Sequence, residues 1–157
     1  MPSPAHAAEL ERVLSRAAQE CESKTGWFGE GLPQLLRRVL ESEARERRER
    51  PVEVAFVEVS AISPQGRAHV TEPPIGSSCP IMGLSTSGLE DLSSLFRSTG
   101  PGGVHVSRLI CPVAVFDFTP EGLRVREIKH GLTAADLQKQ LPIRLWSGPD
   151  LKELGSH

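Results

Sequence analysis

The sequence predicts an α/β fold, with three layers around a mixed, largely parallel sheet. Three observations carry this. Helical patterns alternate with strand patterns along the chain. The run at 52–59 is mostly apolar, as a central strand flanked by helices is. Two apolar runs at 113–118 and 123–128 are separated by a short turn, which ends the sheet in a hairpin.

The first element is an amphipathic helix at 5–21. Leu10, Val13, Leu14, Ala17, Ala18 and Cys21 recur at three and four residues, with Glu and Arg on the outer face. Cys21 sits on the apolar stripe and reads as a buried thiol. Next comes the glycine-rich loop Thr25-Gly26-Trp27-Phe28-Gly29-Glu30-Gly31-Leu32-Pro33, which feeds a helix with Leu35, Leu36, Val39 and Leu40 inward. A loop of this kind, with Pro in the first helical turn, is either a tight turn or an anion site where free amides and the helix dipole converge. Residues 41–50 are charged with mixed signs, the pattern of a solvated helix end. Four interleaved glutamates there cancel most of the field of Arg45, Arg47, Arg48 and Arg50. Pro51 stops that helix before the strand at 52–59.

The strand leads into a polar turn over 60–70, where Ser60, Ser63, Gln65 and Gly66 lie at the place a crevice opens in sheets of this type. Residues 71–103 are rich in Pro, Gly and Ser, with one helical patch at 88–97. Cys79 in that stretch has no histidine or basic residue beside it in sequence, which favours an inert thiol over a reactive one. In the hairpin, Thr119-Pro120-Glu121-Gly122 forms the turn. Thr133 then caps a helix with Asp136 three residues on and Leu137 and Leu141 one turn apart.

At 157 residues the chain suits one domain able to bury a sizeable core. Its net charge of -2 provides no basic field, so neither nucleic acid nor an anionic membrane surface is an expected partner. No apolar run reaches the length of a membrane span, and the first residues lack the pattern of a signal peptide. The three cysteines and five histidines are scattered, so no disulfide framework and no metal site is expected, and a reducing cytoplasm is the economical location. The closing Gly155-Ser156-His157 is either native or the remnant of an expression tag.

Several segments together resemble a known family. Val106-Ser107-Arg108-Leu109-Ile110, Ala114-Val115-Phe116-Asp117-Phe118, Thr119-Pro120-Glu121-Gly122-Leu123, Gly131-Leu132-Thr133 and Asp136-Leu137-Gln138 resemble the C-terminal end of the family I coenzyme A transferases, most closely the β subunit of 3-oxoacid and acetate CoA-transferases. Gly29-Glu30-Gly31-Leu32-Pro33-Gln34-Leu35-Leu36 resembles the Gly-x-Gly-Ile-Pro opening of that subunit's domain. The resemblance implies a division into an N-terminal helix at 1–24 and a shortened CoA-transferase-like domain at 25–154. It also implies coenzyme A as a co-substrate, with no permanently bound cofactor.

The ligand-binding residues expected on this ground are Gly29, Gly31, Ser60, Ser63, Gln65 and Gly66, holding an acyl-CoA or a similar small anion. Arg37 or Arg67 would steady the phosphates. The family's nucleophilic glutamate lies in a Ser-Glu-Asn-Gly segment, and no Glu-Asn-Gly occurs here. Glu30 is the remaining candidate, at a position the family does not use for chemistry. Two readings follow: an acyl-CoA-binding relative with doubtful catalysis, or a non-catalytic module that binds a partner. Because nothing before the N-terminal helix covers its apolar stripe, a homodimer or a pairing with a homologous subunit is expected.

Overall fold

The computed structural model describes residues 4–21, 26–41, 53–70, 79–97 and 103–154. Helix α1 (Pro4–Glu20) precedes strand β1 (Gly26–Phe28), helix α2 (Leu32–Glu41) and strand β2 (Val54–Glu58). Strands β3 (Arg67–Ala68) and β4 (Ile81–Leu84) follow. A 3-10 turn (Leu89–Asp91) then runs into helix α3 (Leu92–Leu95). The chain continues through β5 (Val104–His105), β6 (Arg108–Ile110), β7 (Ala114–Thr119), β8 (Gly122–Ile128), helix α4 (Ala134–Gln138) and β9 (Leu145–Glu153).

Seven strands form one sheet in the order β1-β2-β4-β6-β7-β8-β9, and β3 pairs with β5 in a separate small ribbon. Strands β1, β2, β4 and β6 pair in parallel, as do β8 and β9, and β7 is antiparallel to both of its neighbours. The expected α/β architecture with a mixed, mostly parallel sheet is therefore present.

Alternation of side chains along each strand divides the core in two. On one face Val54, Phe56, Met82, Leu84, Ile110 and Val115 pack against Val13 and Ala17 of α1 and Leu32 and Leu36 of α2. On the other, Val57, Leu109, Phe116, Leu123 and Val125 pack against Leu92 and Leu95 of α3 and Leu137 of α4. Each fully buried side chain of this size contributes about 1.5–3 kcal/mol of transfer free energy. Ring geometry adds direction: Phe28 stacks on Phe56 at 5.4 Å, and Phe96 meets Phe116 edge-on at 5.5 Å.

The stripe on α1 is thus covered by α2 and the sheet at Val13, Ala17 and Cys21, while Leu10, Leu14 and Ala18 are partly buried. The covering is reinforced by charge. Arg16 Nε and Nη2 donate to Glu127 of β8 at 2.8 and 2.6 Å, and Arg16 also pairs with Glu20 at 3.0 Å. Glu20 in turn meets Arg108, whose guanidinium donates to both oxygens of Asp117 at 2.6 and 3.0 Å. Burial lowers the Arg16 pKa, and the bonds and charges of Glu127 and Glu20 raise it by more.

Three other departures from expectation have local causes. Residues 26–28, expected as loop, form edge strand β1, because Trp27 and Phe28 lie flat along β2 in the register Gly26↔Val54, Phe28↔Phe56. The 71–103 stretch holds a sheet strand, β4. Its Gly83 lets Val59, Val106 and Leu109 approach so closely that an added Cβ would lie 2.9–3.2 Å from them. Strand β9 carries Gly148 and Pro149 and shifts register against β8, so its pattern does not read as a strand in sequence. The charged run 42–50 lies outside the described residues. The hairpin is as expected: Gly122 has φ +131°, and the Thr119 hydroxyl donates to the Gly122 carbonyl at 2.8 Å.

Candidate functional site

Parallel strands end together, so the segments that follow them gather at one rim of the sheet. After β1 the chain turns through Gly29, Glu30 and Gly31 into α2. After β2 it continues through Val59 to Ser60. A crevice of about 290 Å³ opens between these two exits, lined by Gly29, Glu30, Gly31, Val57, Glu58, Ser60, His69 and Val70.

The loop wall is held from below. The Gly29 amide donates to the Phe56 carbonyl at 3.0 Å, continuing the β1–β2 ladder by one residue. The Gln34 side-chain amide donates to the carbonyls of Phe28 and Gly29 at 3.0 and 3.1 Å, clamping the loop to the first turn of α2. Gly31 adopts φ +82°, a conformation open to glycine at no steric cost. A Cβ at Gly31 would collide with the Glu58 carboxylate, 2.8 Å from its Cδ. The side chain of Glu58 therefore rests against the N-terminus of α2, where a negative charge is favoured.

The structure brings Gly29, Glu30, Gly31 and Ser60 of the expected residues into one crevice. It places Ser63, Gln65 and Gly66 elsewhere. Ser63 is buried, its hydroxyl accepts from the Arg67 amide at 3.0 Å, and its carbonyl accepts from the Gly66 amide at 2.9 Å. Those bonds close a turn. Gly66, at φ +91°, packs under Phe118 and accepts from the Val106 amide at 2.7 Å, which seats the β3–β5 ribbon. Gln65 is exposed at the tip of this turn. Arg37 and Arg67 do not line the crevice.

Glu58 and His69 were missed from sequence. Glu58 stands at the last position of a strand whose other residues are apolar, a polar break at a carboxyl end that could have been read. His69 is brought in by the ribbon, a long-range pairing with no local signal. Among the described residues no group of His, Cys, Asp and Glu is arranged to hold a metal ion, and no helix is long and apolar enough to cross a membrane. Cys111 is fully buried, and burial pushes its thiol pKa upward, so it is no nucleophile. Cys21 is buried as expected, and Cys79 is partly buried.

A second, more open hollow of about 490 Å³ lies at the same rim of the sheet, with Glu9, Glu90, Asp91, Lys129 and His130 among its lining residues. None of the expected site residues reaches it.

No protein-family model and no curated protein matches the sequence. Solved structures do match in fold. IpdAB from Rhodococcus jostii RHA1 superposes with a TM-score of 0.65 at 12% identity, over 94% of this chain and 88% of that one. The acyl-CoA transferase YdiF from Escherichia coli O157:H7 gives 0.63 at 15%, over 92% of this chain and 43% of that one. Its thioester complex with CoA gives the same values. A variant of the decarboxylase AibA/AibB gives 0.50 at 12%, over 66% of this chain. The chain spans about half of that decarboxylase chain (52%) and less than half of YdiF. At these identities what is shared is architecture: the chain has an α/β fold in common with an acyl-CoA transferase.

Proposed function

We propose that the chain binds the acyl end of a coenzyme A thioester in the crevice between the exits of β1 and β2. The observation that carries this reading is the meeting of Gly29, Gly31 and Ser60 around one cavity at the carboxyl ends of parallel strands. Ser60 supplies a hydroxyl, and Gly29 and Gly31 supply backbone surface without side chains, both suited to a planar thioester. The fold shared with YdiF, a protein captured with CoA, supports the ligand class. Coenzyme A enters as co-substrate and not as a resident group.

For acyl transfer the crevice offers two carboxylates, Glu30 and Glu58. Both are exposed; Glu58 is the better placed of the two because it ends a sheet strand and lies against Gly31, whereas Glu30 sits on the loop. Titration with acetyl-CoA in a calorimeter, followed by mass spectrometry of the mixture, tests both levels. Binding at or below about millimolar ligand is expected. A CoA adduct on Glu58 or Glu30 would establish transfer chemistry, and binding without an adduct would leave a ligand-binding module. Absence of binding at millimolar acetyl-CoA would overturn the reading.

The alternative, a non-catalytic module that binds a partner chain, is favoured by one observation. Strand β9 is an unpaired edge of the sheet with Trp146 and Leu151 exposed, and Arg144 lies 4.2 Å over the Trp146 ring. A homodimer or a pairing with a homologous subunit would use such an edge. Light scattering that returns the 17.1 kDa monomer mass at high concentration would remove the self-association part of it.

A further inference from the structure

We infer that the crevice selects uncharged acyl groups and rejects acyl groups that carry a carboxylate of their own. The inference rests on the thioester-binding reading above and narrows it to a substrate class.

The lining decides the sign of the local field. Glu30 and Glu58 contribute two negative charges, and among the described lining residues His69 alone can become positive. Among the described residues no lysine or arginine lines this cavity, Arg37 and Arg67 included. The loop at the start of α2 has the Glu58 carboxylate close beside Gly31, so that end of the helix already has a negative charge near it. A carboxylate brought in by a ligand would be a third negative charge in the same crevice. Val57 and Val70 supply apolar surface for a hydrocarbon chain.

Volume sets the part of the ligand concerned. A crevice of about 290 Å³ lies at the small end of the range of ligand pockets, well short of what a whole coenzyme A molecule needs. It takes the acyl group and the thioester end, with the phosphates of CoA left outside. Their charge therefore does not contradict an acidic crevice.

The test compares butyryl-pantetheine with succinyl-pantetheine, four-carbon acyl groups that differ at the far end, by calorimetry on the full chain. Repulsion between partly exposed charges a few ångströms apart predicts that the succinyl thioester binds about tenfold more weakly or worse. Glu30→Gln and Glu58→Gln should each narrow that gap. A rise in ionic strength from about 0.05 to about 0.5 M should narrow it without any substitution, so the result does not hang on variants that fail to fold. Equal affinities, or tighter binding of the succinyl compound, would overturn the selection and leave thioester binding standing. A gap that persists in both variants and in high salt would overturn its electrostatic origin. Failure of both thioesters to bind would overturn the binding reading and the selection with it.

Discussion

In the β7–β8 hairpin, Phe116, Leu123 and Val125 are buried to within 1% of full burial, and Thr119 closes the turn. At the other end of the sheet, β1 and β2 are short, β1 is only half-buried, and their exits part to form a crevice. The family resemblance is denser in the first region than in the second. The contrast teaches that a likeness carried by core and turn residues reports the scaffold, while the chemistry depends on the few residues that leave the strand ends.

The contrast can be tested by perturbing each region and asking whether the other responds. The largest effect is expected from Phe116→Ala. Phe116 is wholly buried and contacts Phe96 edge-on, so its truncation should cost about 3–5 kcal/mol in urea unfolding. Under conditions where that variant remains folded, ligand affinity at the crevice should match the parent. Altered affinity in the folded variant would show that the two regions are coupled after all.

Gly31→Ala acts from the other side. It forces a left-handed residue to carry a Cβ, at a cost of about 1–3 kcal/mol in thermal unfolding, and it pushes the exposed Glu58 carboxylate aside. Ligand binding should weaken in the fraction that stays folded. An unchanged melting temperature would mean that the loop does not hold Gly31 in that left-handed conformation.

The smallest effect belongs to the cap of α4. The Thr133 hydroxyl accepts from the Asp136 amide at 3.2 Å, and the Asp136 carboxylate accepts from the Thr133 amide at 2.9 Å. Thr133→Ala should cost about 1 kcal/mol at neutral pH. Hydrogen bonds from the Thr133 amide and hydroxyl hold the Asp136 pKa below its ordinary value. A depressed carboxyl stabilises the fold above its unfolded pKa, and that contribution is lost as pH falls through the folded value. The penalty of the substitution should therefore shrink in acid, as unfolding followed across pH would show.

How much could be read in advance follows from where each signal resides. The hairpin, the capping box at Thr133 and Asp136, and the stripe on α1 are local patterns a few residues long, and all three stand in the structure. The crevice was half legible: Gly29, Glu30, Gly31 and Ser60 belong to two turns that both follow strands. Glu58 required the exact strand end, and His69 required the β3–β5 ribbon. Ser63 and Gly66 lie away from the crevice, because the serine closes a turn and the glycine packs under an aromatic ring, roles that leave no distinct mark in sequence. Strand β4 was hidden by its glycine, and β9 by a proline and a register shift.

The ionic contacts between α1 and the hairpin also bear on the order in which the molecule assembles. Arg16 and Glu127 are 111 residues apart, and Glu20 and Arg108 are 88 apart, so neither pair can form until most of the chain has collapsed. Contacts of such long sequence separation are costly to close early. If helix α1 docks after the hairpin has supplied Asp117 and Glu127, weakening Arg16 should quicken unfolding while leaving the folding rate nearly untouched, as stopped-flow kinetics of the variant would show.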